Sequence, residues 1–213
     1  MKNYLVEFIG TFFLVLVIAL SRDPIAIGAI LMVMVYMGGH ISGAQYNPAV
    51  TLAVWMNGAM KMNEMIMYMI AQVAGAVAAA FFYYLLAGRG DDFYPHPPGD
   101  MQALTLKALA VEAAFTFALV MVVLNVAVSK KTSGNSYFGL AIGFTIMAAA
   151  TAGGKISGGA YNPAVATGPM LFDLCIGGNG YQFLWIYIVG PFSGAIAAAM
   201  TYKFLNAEDS NPG

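Results

Sequence analysis

Eleven residues occur nearly unchanged twice in this chain. His40-Ile41-Ser42-Gly43-Ala44-Gln45-Tyr46-Asn47-Pro48-Ala49-Val50 returns as Lys155-Ile156-Ser157-Gly158-Gly159-Ala160-Tyr161-Asn162-Pro163-Ala164-Val165. Eight of the eleven positions are identical, and the two asparagines lie 115 positions apart. Chance does not produce this, so the fold must give both copies equivalent surroundings.

Within each copy the residues specify a helix start after an irregular approach. Asn is a strong N-cap, because its side-chain oxygen accepts from a free backbone N–H of the first turn. Pro follows at the first helical position, where its missing N–H costs nothing, and it pushes the preceding Asn out of the helical region. Gly and Ser residues upstream permit an irregular path with exposed carbonyls. A single Asn-Pro-Ala fits an ordinary turn before an ordinary helix. Two copies in matching places of an apolar chain favour loops that enter a membrane and start half-helices. Irregular backbone at membrane depth is tolerated only where it lines a cavity or is buried in protein.

The rest of the chain is apolar enough for this. Of its 213 residues, 60% are hydrophobic and 9% charged, against about 25% charged in a soluble domain. The sequence predicts an all-α integral membrane protein lying in a lipid bilayer. A net charge of −1 gives no basic surface for nucleic acid. One cysteine, Cys175, excludes an internal disulfide, and two histidines, His40 and His96, leave no metal cluster. No cofactor is expected.

Six apolar runs, at about 4–20, 25–38, 65–87, 108–128, 137–152 and 183–205, fit a hydrocarbon core of about 30 Å. The runs after the repeated loops, about 48–57 and 163–172, are too short to cross. The polar segment 88–101, with Arg89, Asp91, Asp92, His96 and three prolines, links the halves. Residues 173–180 read as a Gly-rich surface loop and 206–213 as a loose polar tail. The first run resembles a signal peptide in its flanking Lys2, but Glu7 lies inside it. Val6-Glu7-Phe8-Ile9-Gly10-Thr11-Phe12 also recurs as Val111-Glu112-Ala113-Ala114-Phe115-Thr116-Phe117.

One domain over 1–213 is therefore expected, built from two units, 1–100 and 101–213. Each has three spans and a re-entrant loop, 39–57 and 154–172. An odd number of spans per unit forces opposite orientations: an inverted repeat whose special segments meet near the midplane. Lys2, Lys61, Lys130, Lys131 and Lys203 fall on one side, against Arg22, Arg89, Lys107 and Lys155 on the other. That excess places both termini in the cytoplasm.

Two Asn-Pro-Ala boxes, a Glu in the first and fourth spans, and six spans resemble the aquaporins, or major intrinsic proteins, over essentially the whole chain. Residues 157–169 resemble the tonoplast-intrinsic branch of that family most closely. The resemblance implies a homotetramer in the cell membrane, with one passive pore per subunit for water and small neutral solutes. It implies that Asn47, Pro48, Ala49, Asn162, Pro163 and Ala164 form the narrow midplane region. The asparagine amides would donate to a passing oxygen. The half-helix N-termini, each with about half a positive charge, would repel cations and protons. Backbone carbonyls at about 39–44 and 157–159 would form the acceptor side. Glu7 and Glu112 would hold the loops by accepting their N–H groups rather than relay protons. His40 would lie near the cytoplasmic mouth, held by a structural hydrogen bond.

The family usually adds a second, outer constriction of four residues that includes an Arg after the second box. Here that residue is Val165. Spacing from the boxes assigns the other three positions to Ile27, Ala150 and Gly159. This filter carries neither charge nor aromatic bulk, which predicts an opening wider than a strict water channel. Ammonia, urea, glycerol and hydrogen peroxide then become plausible solutes beside water. Cys175 marks a possible site of mercurial block. The methionines at 32, 34, 37, 65, 67 and 69 read as flexible packing. Two alternatives stand beside the channel: a neutral-solute facilitator with little role in water flow, and a structural tetrameric membrane protein. No nucleotide motif or nucleophile–base pair suggests an enzyme.

Overall fold

The computed structural model describes residues 1–89, 94–96 and 101–207, with the side chains of 101–104 excepted. Asp91, Asp92, Pro97 and Pro98 of the linker, and the tail beyond 207, lie outside the described residues. The described residues form eight α-helices: α1 Lys2–Ser21, α2 Pro24–Ser42, α3 Pro48–Met56, α4 Met62–Ala87, α5 Met101–Val123, α6 Phe138–Ser157, α7 Pro163–Cys175 and α8 Leu184–Leu205. Six helical segments are long and apolar enough to cross a membrane. The half-helices α3 and α7, of 9 and 13 residues, reach only about 14 and 20 Å at 1.5 Å per residue.

Three boundaries differ from the sequence reading. α2 continues to Ser42, because Gly39 and its neighbours extend the helix until Gly43 turns left-handed at φ 85° and returns its N–H to the Gly39 carbonyl. Gly158 ends α6 the same way, at φ 89° onto Gly154; this is the left-handed helix stop that glycine adopts without strain. Of the carbonyls at 39–42, Gly39 accepts from Gly43 N and Ser42 accepts from the Tyr68 hydroxyl, so part of the acceptor side expected at 39–44 is already bonded within the protein. α5 begins seven residues earlier than expected and closes in one π-helical turn, Leu124–Val128. There the Asn125 side chain donates to the Met121 carbonyl, and the Thr132 hydroxyl to the Asn125 carbonyl.

Packing follows the repeat. α1 lies along α4, α5 along α8, and α2 crosses α6 between the two units. At that crossing Gly28 and Gly143 face each other so closely that a Cβ on either would stand 2.6 or 2.5 Å from the other's carbonyl oxygen. Each half-helix packs on the last span of the other unit, α3 on α8 and α7 on α4. This exchange brings both half-helix starts to the centre of the molecule.

Candidate functional site

Each asparagine uses its side chain twice. Asn47 Oδ1 accepts from Ala49 N at 2.9 Å, and Asn162 Oδ1 accepts from Ala164 N at 2.9 Å, so both cap their half-helices as expected. Their amide nitrogens reach across the molecule: Asn47 Nδ2 donates to the Tyr161 carbonyl at 3.0 Å, and Asn162 Nδ2 to the Tyr46 carbonyl at 2.8 Å. A primary amide has two N–H groups, so one on each asparagine stays available. The two loops are tied to each other at the point where both helix N-termini converge.

The loops need bracing because their backbones are strained. Ala44, Tyr46 and Tyr161 have φ of 49°, 51° and 50°, left-handed values that cost a residue with a Cβ roughly 1–2 kcal/mol. Buried carboxylates over-determine that path. Glu7 Oε1 accepts from the Ser42 hydroxyl at 2.7 Å and Gln45 N at 3.0 Å; Oε2 accepts from Tyr46 N at 2.7 Å and Gln72 Nε2 at 2.8 Å. Glu112 Oε1 accepts from the Ser157 hydroxyl at 2.7 Å and Ala160 N at 3.0 Å; Oε2 accepts from Tyr161 N at 2.6 Å. Tyr68 donates to the Ser42 carbonyl at 2.9 Å, and Tyr187 likewise to the Ser157 carbonyl. Sequence reading anticipated the carboxylates and missed Gln72 and the two tyrosines.

Two cavities meet at this centre. The outer one, about 630 Å³, opens on the face opposite the N-terminus and is lined by Arg22, Tyr94, His96, Ala150 and Lys155 among others. The inner one is about 30 Å³ and passes the level of Asn47 and Asn162, with room for roughly one or two waters. Ile27, Gly159 and Val165 line both, so they stand at the neck; Ala150 lines the outer cavity. Below the neck the wall is branched and apolar: Leu14, Leu31, Leu119, Ile142 and Ile146. The small residues at 150 and 159 therefore widen the vestibule, while these aliphatics keep the inner passage narrow. They were not legible as pore residues, because pore-facing and lipid-facing aliphatics look alike in sequence.

Other expected residues fall elsewhere. His40 is exposed on the last turn of α2; the structural hydrogen bond expected of it is not formed among the described residues. Cys175 is exposed at the end of α7 and lines neither cavity. Asp173, expected in a surface loop, is fully buried. It pairs with Arg89 Nη2 at 3.0 Å and accepts from Gly180 N at 3.0 Å, folding the 176–180 turn around itself. Tyr94 packs on that turn, and burial together with the Asp173 charge pushes its phenol upward from its ordinary pKa.

A family model described as major intrinsic protein matches residues 1–202. Aquaporin NIP1-4 of Oryza sativa subsp. japonica is 36% identical over 219 residues, covering 96% of this chain and 77% of that protein. Glycerol uptake facilitator protein-like 6 of Lactiplantibacillus plantarum is 37% identical over 229 residues, covering 98% and 100%. Aquaporin AqpM of Methanothermobacter marburgensis is 33% identical over 192 residues, covering 86% and 76%. None of these three bears a tonoplast-intrinsic name, so the expected likeness of residues 157–169 to that branch is not supported. The X-ray structure of the aquaglyceroporin from Plasmodium falciparum shares the fold, with a TM-score of 0.82 at 20% identity over 94% of each chain. This chain belongs to the major intrinsic protein family.

Proposed function

We propose that the protein is a passive channel in which water and small neutral solutes pass between Asn47 and Asn162. The observation that carries this reading is the crossed pair of amides. Each spends one N–H on the opposite loop and keeps one for a passing oxygen. Two helix N-termini converge there, and their partial positive charges oppose cations and protons. Ile27, Ala150, Gly159 and Val165 act as an uncharged outer filter. Without a guanidinium, a polar solute finds fewer donors to replace its hydration, and the narrow aliphatic passage below favours water. Urea, glycerol, ammonia and hydrogen peroxide pass when those side chains change rotamer. The name of the L. plantarum relative supports glycerol as one solute.

The units 1–100 and 101–213 form the inverted repeat, with Glu7 and Glu112 as loop supports. Exposed apolar side chains such as Phe13, Val33, Phe82 and Phe144 face lipid or neighbouring subunits of a homotetramer. The lysine excess sets both termini in the cytoplasm of a cell-membrane protein. Stopped-flow light scattering on proteoliposomes tests the filter. Wild type is expected to pass water, urea and glycerol, and Val165→Arg to lose the solutes before the water. Equal loss of all three in the variant, or a wild type that passes water alone, contradicts the filter assignment.

A further inference from the structure

Asp173 is a fully buried carboxylate near the end of α7, held from two connections between helices. Arg89 Nη2, from the linker after α4, stands 3.0 Å from Oδ1; Gly180 N, from the turn before α8, donates to Oδ2 at 3.0 Å. A buried charge is tolerated only where it is paired, so Asp173 joins the linker to that turn. Residues 94–96 grip the same turn further along. A Cβ on Gly180 would meet the Tyr94 ring at 2.6 Å, and the His96 ring stands 6.0 Å from that of Phe183.

The docked linker also reaches the second re-entrant loop. The His96 backbone closes on Gly158, where a Cβ would stand 2.8 Å from its N and O. Gly158 and Gly159 are consecutive left-handed glycines, at φ 89° and 70°, and Gly159 lines both cavities at the neck. Glycine adopts many backbone conformations, so two in a row keep their place only when neighbours fix it. Within the loop, Ser157 Oγ accepts from Gly159 N at 3.1 Å, and the Glu112 contacts resume at Ala160. The linker supplies a hold from outside. In the first loop the place of Gly159 is taken by Ala44, which carries a Cβ, and no atom outside that loop lies within 4 Å of a Cβ built on Gly43.

We infer that Arg89 and Asp173 are positioning residues for the outer filter: through the linker they hold the His96 backbone on Gly158 and so fix how far Gly159 stands from Ile27 and Val165. The inference rests on the filter proposed above and extends it to a pair that lines neither cavity. With the pair broken, the linker loosens and the Gly158–Gly159 turn gains room to withdraw from the neck. Glycerol then gains over water, because the bulkier solute responds first to a small change in width.

Glycerol and water permeabilities are measured by stopped flow in proteoliposomes of wild type, Arg89→Gln, Arg89→Lys and Phe183→Leu, with empty-vesicle rates subtracted. Arg89→Gln is expected to raise the glycerol-to-water ratio by about twofold or more. Arg89→Lys keeps the cation and is expected to stay closer to wild type. Phe183→Leu removes the ring against His96 without stranding a buried charge, and a smaller rise is expected. A mere loss of folded channels lowers both permeabilities together and leaves their ratio at the wild-type value. A ratio that is unchanged or lower in both Arg89→Gln and Phe183→Leu overturns the inference, as do equal shifts in Arg89→Gln and Arg89→Lys; the filter reading then still stands on its own Val165→Arg test. If Arg89→Gln protein does not assemble, Phe183→Leu decides alone by the same criterion. Wild-type vesicles that pass water and no glycerol overturn the filter reading itself, and the inference with it.

Discussion

The two re-entrant loops share a backbone and differ in what holds it. Both run from a left-handed glycine to an Asn cap, and both place a strained tyrosine just before that cap. The first loop is braced from within. Gln72 on α4 joins Glu7 Oε2 at 2.8 Å to the Thr51 hydroxyl of α3 at 2.9 Å, so carboxylate, loop and half-helix form one network. The second loop has no such link: Pro191 stands 119 positions after Gln72, and Ala166 stands 115 after Thr51. Glu112 therefore accepts three hydrogen bonds where Glu7 accepts four. The second loop is braced from outside instead. The backbone of His96 lies against Gly158, where a Cβ would stand 2.8 Å from its N and O; a Cβ on Gly43 would meet nothing closer than 3.9 Å. The repeat thus fixes the geometry that faces the solute and leaves each unit to support it differently.

The sharpest way to break the comparison is to neutralise each carboxylate. A carboxamide at either position sets its NH₂ against a backbone N–H, Tyr161 or Ala160 in Glu112→Gln and Tyr46 or Gln45 in Glu7→Gln. A serine hydroxyl can turn to accept in both, and only at Glu7 can a second partner, the Gln72 amide, also turn over and accept. Both variants lose stability, and Glu112→Gln is expected to lose about 1–3 kcal/mol more, read as unfolding midpoints in detergent. Gln72→Leu comes next. It leaves Glu7 and Thr51 short of a donor and is expected to cost about 1–3 kcal/mol and to lower water permeability, with the second loop unaffected. Equal sensitivity of both loops to Gln72→Leu would show that they are coupled through the asparagine pair.

Alanine in the two glycine stops separates strain from crowding. Gly43→Ala carries the left-handed cost alone, about 1–2 kcal/mol. Gly158→Ala adds a clash with the His96 backbone and is expected to cost more and to slow solute entry from the outer face. The smallest effect is Ala44→Gly. Relief of the φ 49° strain is offset by the entropy of a new glycine, about 0.5–1 kcal/mol, for a net gain of roughly 1 kcal/mol or less in the same unfolding assay.

Much of this was legible in sequence, for identifiable reasons. Asn47 and Asn162 declared themselves through capping chemistry and duplication. Glu7 and Glu112 stood out as acids inside apolar runs. Gln72 did not, because its repeat partner is a proline and a glutamine in a long helix has many uses. Asp173 looked like loop polarity among glycines; its burial depends on Arg89, 84 positions earlier. The end of α2 was placed early because the repeated stretch was read as loop from residue 39 onward. The deciding residue was Gly43, whose left-handed turn is set by the loop that follows it.

The central claim is that the crossed Asn47–Asn162 pair admits neutral molecules and rejects charge even with Val165 in place of an arginine. Its most direct test measures osmotic water flux and proton and potassium leak in the same wild-type proteoliposomes. The account predicts water flux far above that of empty vesicles, with ion leak no greater than theirs. Substantial cation leak accompanying the water flux would contradict it, and would mean that the half-helix termini do not exclude ions without the missing guanidinium.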